Sequence, residues 1–118
     1  MNALDVMTTY LRDEIGAEQQ TPNGFVLQVK GTQVSQLTVF VIMTYEHMLL
    51  SAPIFETANI SAQHALEFTI TSPFGVSIMG ESFVLNHVVS IDDMNKERFL
   101  KELTFFAAGV EELLPGNR

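Results

Sequence analysis

The distribution of apolar residues between Phe25 and Glu56 predicts three consecutive β-strands. The predicted strands are Phe25–Lys30, Leu37–Tyr45 and His47–Phe55. In the middle strand Phe40 and Ile42 alternate with Val39 and Val41, so both of its faces are apolar. A strand that is apolar on both faces is usually covered on both. We therefore expect helices on one side of this sheet and other protein, such as a second subunit, on the other.

A period of three to four residues predicts a helix at residues 2–15, with Asn2 as its N-terminal cap and Gly16 at its end. The residues Gln19–Gly24 are predicted to form a polar connection, with a turn signal at Pro22-Asn23-Gly24. A second, short helix is predicted to begin near Ser61. Its buried side is expected to comprise Ala62, Ala65, Leu66 and Ile70.

The longest helical pattern runs from about Asp92 to Leu114. Ser90 and Asp93 have the spacing of a capping box, although aspartate replaces the usual glutamate. One apolar stripe continues over several turns. It comprises Phe99, Leu103, Phe106, Val110 and Leu113. Phe105 lies off this stripe, and because burial of an aromatic side chain is worth about 2 kcal/mol, we expect another surface to cover it.

A second hairpin is predicted between residues 74–79 and 82–89. Gly80 and Glu81 form its two-residue turn, with glycine at the first central position. The predicted order is therefore α-β-β-β-α-β-β-α. This order indicates an α+β fold, an antiparallel sheet with helices on one face. The length of 118 residues predicts one domain that spans residues 1–118.

The chain is apolar for its size, with 47% hydrophobic residues and a mean hydropathy of +0.20. Two interpretations stay open. Either the apolar residues fill an ordinary core, or some of them belong to an oligomer interface, since extra burial is useful to a small domain.

The formal net charge is −8, from 14 acidic and 6 basic residues. Nucleic-acid binding requires a basic surface. The one basic cluster is Lys96, Arg98 and Lys101, with Glu97 and Glu102 among them. We therefore expect neither nucleic acid nor an anionic lipid surface as a partner, whereas a basic segment of another protein is compatible with the charge.

The chain contains no cysteine, which excludes disulfides, thiol nucleophiles and thiolate metal sites. No apolar run is long enough to span a membrane, and the first residues lack the pattern of a signal peptide. We therefore expect a cytoplasmic protein.

Motifs for catalysis are missing: there is neither a phosphate-binding glycine pattern nor a nucleophile-elbow serine. The histidines are His47, His64 and His87. Their spacing does not match that of metal ligands, so a surface or hydrogen-bonded role is the simpler interpretation. One constellation remains, because Glu81, Asp92 and Asp93 are predicted near the same end of the sheet as His87. Weighing both, we expect no enzyme, no cofactor and no metal ion.

The segment Phe74–Leu114 combines the hairpin Phe-Gly-Val-Ser-Ile-Met-Gly-Glu-Ser-Phe-Val-Leu, the stretch His87–Ser90 and a long amphipathic helix. With its element order, size and acidity, the chain resembles the type III secretion chaperone-like fold, which includes Tir-chaperone and YbjN-like proteins. Leu37–Val41, followed by Glu46–Leu50 and Pro53–Phe55, is similar to a strand pair of the YjfI-like bacterial family. The resemblance implies a non-enzymatic homodimer that binds another protein.

Our main hypothesis is a protein-binding module, chaperone-like or regulatory, that acts as a homodimer. Its binding or dimer surface is predicted to include Phe40, Ile42 and Phe105, and strand addition to a sheet edge is one way to hold an extended partner. The alternative is a small ligand-binding or enzymatic domain with a pocket between sheet and helices, near His87 and Glu81. A third interpretation is a structural subunit of a larger assembly.

Overall fold

The fold combines a six-stranded sheet with three α-helices in the part of the chain that the structure describes. The computed structural model describes residues 2–30, 36–70 and 72–114. The strands are β1 (Glu18–Thr21), β2 (Gly24–Val29), β3 (Leu37–Met43), β4 (His47–Glu56), β5 (Gly75–Met79) and β6 (Ser82–Ser90). The helices are α1 (Ala3–Thr9), which continues as a π-helical segment over Tyr10–Ile15, α2 (Ala62–Thr69) and α3 (Lys96–Leu113).

The strands lie in the order β1-β2-β3-β4-β6-β5, and every neighbouring pair is antiparallel. This confirms the predicted α+β class and its antiparallel sheet. The chain reaches β5 from β4 through α2, so that β5 lies at one edge of the sheet and β1 at the other. The secretion chaperone-like assignment stays a prediction, because many unrelated proteins share such an architecture.

One face of the sheet carries the core, and we call it the covered face. Its central row runs from Val41 to Leu50 and on to His87 across β3, β4 and β6. The buried residues of this face are Phe25, Leu27, Leu37, Val39, Val41, Met43, Met48, Leu50, Ala52, Phe55, Phe83 and Leu85. Together with buried helix residues they form one hydrophobic cluster.

The helices contribute to this same cluster. The ring of Phe106 on α3 stacks on His87 with centroids 6.2 Å apart, and Phe99 meets Tyr10 edge-on at 6.0 Å. Ala65 of α2 is fully buried in the cluster. The apolar stripe predicted for the last helix is confirmed, since all five of its residues are buried. The helices therefore contact the covered face.

Several local predictions are confirmed at single residues. Asn2 and Ser61 each accept a hydrogen bond from the backbone N–H three residues further on, which caps α1 and α2. Gly16 follows the first helical region at φ +74°. Gly80 has φ +61° in the β5–β6 turn, a conformation that glycine adopts without a Cβ clash.

The polar connection predicted at Gln19–Gly24 is only partly confirmed: its turn is present, but its first half, Gln19–Thr21, belongs to β1. β1 pairs with β2 through a tight turn at Pro22 and Asn23, and the pairing shifts between Gln19 and Thr21. Every residue of β1 is exposed, so no apolar alternation marks it as a strand. The element order consequently contains one strand more than predicted.

The predicted start of the last helix is also wrong. Asn95, not the capping box, caps α3, and its Oδ1 accepts a hydrogen bond from the N–H of Arg98 at 2.9 Å. Ser90 instead ends β6, where its hydroxyl accepts the N–H of Asp92. Asp93 precedes the helix in a turn.

The predicted buried side of α2 is mostly wrong. Only Ala65 is buried, whereas Leu66 is 59% and Ile70 82% exposed. Ala62 is exposed as well. Because α2 lies beside the edge strand β5, it has sheet under only part of its surface.

A proline, which lacks a backbone donor, is usually confined to a sheet edge or a strand end. Pro53 instead lies within β4, between β3 and β6. It pairs with Val84, and the pairing becomes irregular between Pro53 and Phe55. Such an irregularity accommodates a residue that lacks a backbone donor.

Candidate protein-binding surfaces

The second face of the sheet, which we call the open face, consists of the strand residues that alternate with the core positions. Ile42, Leu49 and Val88 form one row across β3, β4 and β6. The next row contains Val26 and Phe40. Ile42 is 38% and Val88 58% exposed, so large apolar side chains reach the surface in the middle of the sheet. The helices thus cover one face of β3 and leave the predicted residues Phe40 and Ile42 on the other.

The open face is almost without charge. Cross-strand pairing assigns to it Glu18, Thr21, Gly24, Val26, Gln28, Thr38, Phe40, Ile42, His47, Leu49, Ser51, Pro53, Glu56, Gly75, Ser77, Met79, Ser82, Val84, Asn86, Val88 and Ser90. Within the strands that the structure describes, its only carboxylates are Glu18, on the edge strand β1, and Glu56, at the end of β4. In a chain of net charge −8, this face therefore differs from the average surface.

A short hydrogen-bonded row crosses the open face from β4 to β5. Ser51 donates its hydroxyl to Oδ1 of Asn86 at 2.6 Å, and Nδ2 of Asn86 donates to the hydroxyl of Ser77 at 2.7 Å. Ser51 is buried although it lies on the open face, away from the helices. Its cross-strand neighbour on β3 is Phe40. These polar side chains bond to one another, which makes the face less polar than its composition suggests.

Phe105 lies on the helix side of the molecule and is 53% exposed. The centroid of its ring lies 5.1 Å from the ring centroid of Phe74 and 5.9 Å from that of His87. Leu100 is exposed nearby, and both side chains line a shallow groove of about 520 Å³ on α3. The three residues predicted for one binding surface thus lie on two surfaces, because Phe40 and Ile42 face the opposite way.

His87 forms the polar centre of an aromatic cluster. Its Nε2 lies 2.5 Å from Oε2 of Glu102, which joins β6 to α3. Phe74 meets the imidazole edge-on at 5.0 Å, and Phe106 stacks on it. Since packed side chains enclose the ring on these sides, the hydrogen-bonded contact between His87 and Glu102 serves to hold α3 on the sheet.

The carboxylates predicted near His87 are elsewhere. Glu81 precedes β6 and Asp92 follows it, so the two residues lie at opposite ends of a nine-residue strand. Glu102, which sequence spacing did not single out, takes their place. It was missed because only the packing of α3 on β6 brings it to His87.

A groove of about 570 Å³ lies between α2 and β5. Leu66 and Ile70 line its helix side, and Phe74 and Val76 line its strand side. Among the described lining residues Glu67 alone is charged, and its Oε1 accepts a hydrogen bond from Gln63 at 3.3 Å. The exposure of apolar residues on both elements was not predicted, since the helix pattern suggested a buried side.

Arg12 and Asp13, which lie away from these surfaces, shift each other's pKa. A hydrogen bond from the guanidinium of Arg12, with Nε 3.0 Å from Oδ1, lowers the pKa of Asp13. The same bond raises the pKa of Arg12. Both side chains are exposed, so solvent screens the pair and it contributes little to stability.

In residues 2–30, 36–70 and 72–114, no three side chains of the His, Cys, Asp and Glu types lie close enough to hold a metal ion. None of the helices in these ranges combines the length and apolarity that a membrane span requires.

Comparison with known proteins does not assign the chain to a family. No protein-family model matches the chain, and no curated protein matches it significantly. The likeness to secretion chaperones and to the YjfI-like family therefore stays a prediction, and the functional interpretation depends on the two apolar surfaces and their charge.

Proposed function

We propose that this protein is a non-enzymatic, cytoplasmic protein-binding module that acts as a homodimer, with the open face as the surface between the two copies. One observation carries the proposal: the open face exposes large apolar side chains and has almost no charged residues. Ile42 and Val88 are its exposed centre, and Phe40 and Leu49 lie beside them.

The charge distribution favours a second copy over an unrelated partner. In a two-fold dimer the same patch meets itself, so a patch whose charged groups are all carboxylates would bring like charges together. The open face avoids this because its two carboxylates, Glu18 and Glu56, lie at the rim. A basic partner would instead be attracted to the acidic remainder of the surface.

The size of the open face limits the surface area that a dimer can bury. Six strands about 4.8 Å apart and about six residues long give a projected area of roughly 480 Å² per copy. Two copies would then bury about 1,000 Å², which is the lower limit for a specific interface. We therefore expect a concentration-dependent dimer rather than a permanent one.

Sedimentation equilibrium over a range of protein concentrations tests the proposal. We expect wild-type protein to dimerise, and Ile42→Lys and Val88→Lys to remain monomeric, because each would bury an unpaired charge in the interface. Leu100→Lys is the matched control: this exposed leucine lies on α3, on the opposite side of the molecule. Circular dichroism is used to check that each variant is folded.

Two results would contradict the proposal. One is a wild-type protein that stays monomeric at several hundred micromolar. The other is a dimer that Leu100→Lys dissociates and Ile42→Lys leaves intact, which would move the interface to the helix side.

A further inference from the structure

The two edges of the sheet differ in how well they are protected against pairing with another strand. β1 is short, polar and irregularly paired, carries Glu18 and is followed by Pro22, all features that discourage edge-to-edge association. β5 has the sequence Gly-Val-Ser-Ile-Met, with no charge and no proline, and it is regularly paired on its inner side. Ile78, at this edge, is exposed. One edge is thus closed to an added strand and the other is open.

The backbone of β5 has hydrogen-bonding groups available for an added strand. In a hairpin with a two-residue turn, the flanking residues Met79 and Ser82 form a hydrogen-bonded pair, and such pairs alternate along the ladder. The N–H and C=O groups of Val76 and Ile78 consequently point away from β6. Their side chains lie on the covered face, opposite Leu85 and Phe83, which is also the side of α2.

We propose that β5 and α2 form a site that binds an extended segment of another protein by strand addition, with the backbone of the segment paired to Val76 and Ile78. Every second side chain of the segment enters the groove between strand and helix, where it contacts Leu66 and Ile70. The site lies on a different surface from the proposed dimer interface and does not depend on it.

The lining of the groove selects the chemistry of the segment. Its apolar walls require apolar side chains at alternate positions, since residues of a strand point to one face every second residue. Glu67, held by Gln63 at the rim, favours a lysine or arginine in the segment. A second copy of β5 does not meet this requirement, because neither Gly75–Met79 nor the following turn contains a basic residue.

A phage-displayed library of random decapeptides, selected on immobilised wild-type protein, tests the site. We expect enrichment of peptides with apolar residues at alternate positions and at least one lysine or arginine. A fluorescein-labelled peptide of the enriched sequence is then titrated by fluorescence anisotropy. Ile78→Lys should weaken its binding at least tenfold, and Gln20→Lys, which puts the same charge on the edge strand β1, should change it less than twofold.

Backbone methylation of the same peptide separates strand addition from side-chain docking. N-methylation of one alternate set of amides should abolish binding, because those N–H groups pair with β5, and methylation of the other set should not. The Ile42→Lys variant should bind the peptide as wild type does, which makes failure of this site distinguishable from failure of the dimer.

Several results would overturn the proposal. In the selection, these are the absence of any enriched peptide and the enrichment of peptides with apolar residues at three- and four-residue spacing. In the binding assays, they are a loss of peptide binding in Gln20→Lys equal to that in Ile78→Lys, and peptide binding that methylation of neither set of amides changes. Dissociation of a wild-type dimer by Ile78→Lys would show that a second copy occupies the edge instead.

Discussion

Phe74 is the residue at which the last helix, the end of the sheet and the α2–β5 groove meet. Its ring lies between 5.0 and 5.3 Å from those of His87, Phe105 and Phe106. It also lies against Gly109 of α3, where an added Cβ would be 2.3 Å from Cε2 of the phenylalanine. Glycine is therefore required at position 109 by close packing, not by backbone conformation.

Gly109→Ala should destabilise the protein by about 1 kcal/mol. Alanine favours a helix interior by about 1 kcal/mol over glycine, but overpacking a filled site costs about 1–3 kcal/mol. The overpacking term wins because Phe74 is buried among three other rings and has little room to move. Urea unfolding followed by circular dichroism measures the difference.

The control for this prediction changes the ring rather than the helix. In a Phe74→Leu background the clash is relieved, so Gly109→Ala should become stabilising, and the two substitutions should be non-additive. Stabilisation by Gly109→Ala in the wild-type background would show instead that Phe74 moves aside freely.

At the scale of secondary structure, the chain could be predicted where a local signal determines the element. Asn2, Ser61 and Gly80 are such signals, and the cap, helix start and turn that they predicted are present. β1 was not predictable by apolar alternation, since all of its residues are exposed and only pairing with β2 defines it. The burial of α2 depends on where the sheet ends beneath it, which residue spacing within the helix does not encode.

The N-terminus of α3 offers a direct test at this scale, because two caps were in competition. Asn95→Ala should destabilise the protein by about 1 kcal/mol, since the asparagine side chain accepts the N–H of Arg98 and an alanine cannot. Asp93→Ala, which removes the carboxylate of the predicted capping box, should have a clearly smaller effect. Thermal or urea unfolding of both variants gives the comparison, and a larger effect of Asp93→Ala would favour the capping box.

At the scale of the whole molecule, sequence patterns identified surplus apolar residues but not how they group. Phe40 and Ile42 could be assigned to one strand face by alternation alone. Phe105 could be recognised as lying off the helix stripe, yet its separation from the other two follows from α3 packing on the covered face. The contrast between the two edge strands could be recognised only once the strand order was known, because β5 reaches its edge by a crossover.

The distribution of charge over the whole molecule predicts how the proposed dimer responds to salt. Two copies that each carry −8, stacked along the short 25 Å dimension, repel each other by about 4–5 kcal/mol at 0.01 M salt and about 0.5 kcal/mol at 0.15 M. These values are upper limits, since the charges lie mainly on the outer surfaces of the dimer. The nearly uncharged open face contributes no ion pairs that salt would weaken.

Raising the sodium chloride concentration from 0.01 to 0.15 M should therefore lower the dissociation constant of the dimer, by up to about a thousandfold, as measured by sedimentation equilibrium at pH 7. The Ile42→Lys variant serves as the control and should stay monomeric at both concentrations, because screening does not remove the cost of burying its lysine. An interface held by ion pairs would respond in the opposite direction. Weaker dimerisation at the higher salt concentration would thus place the contact between acidic and basic surfaces and exclude the open face.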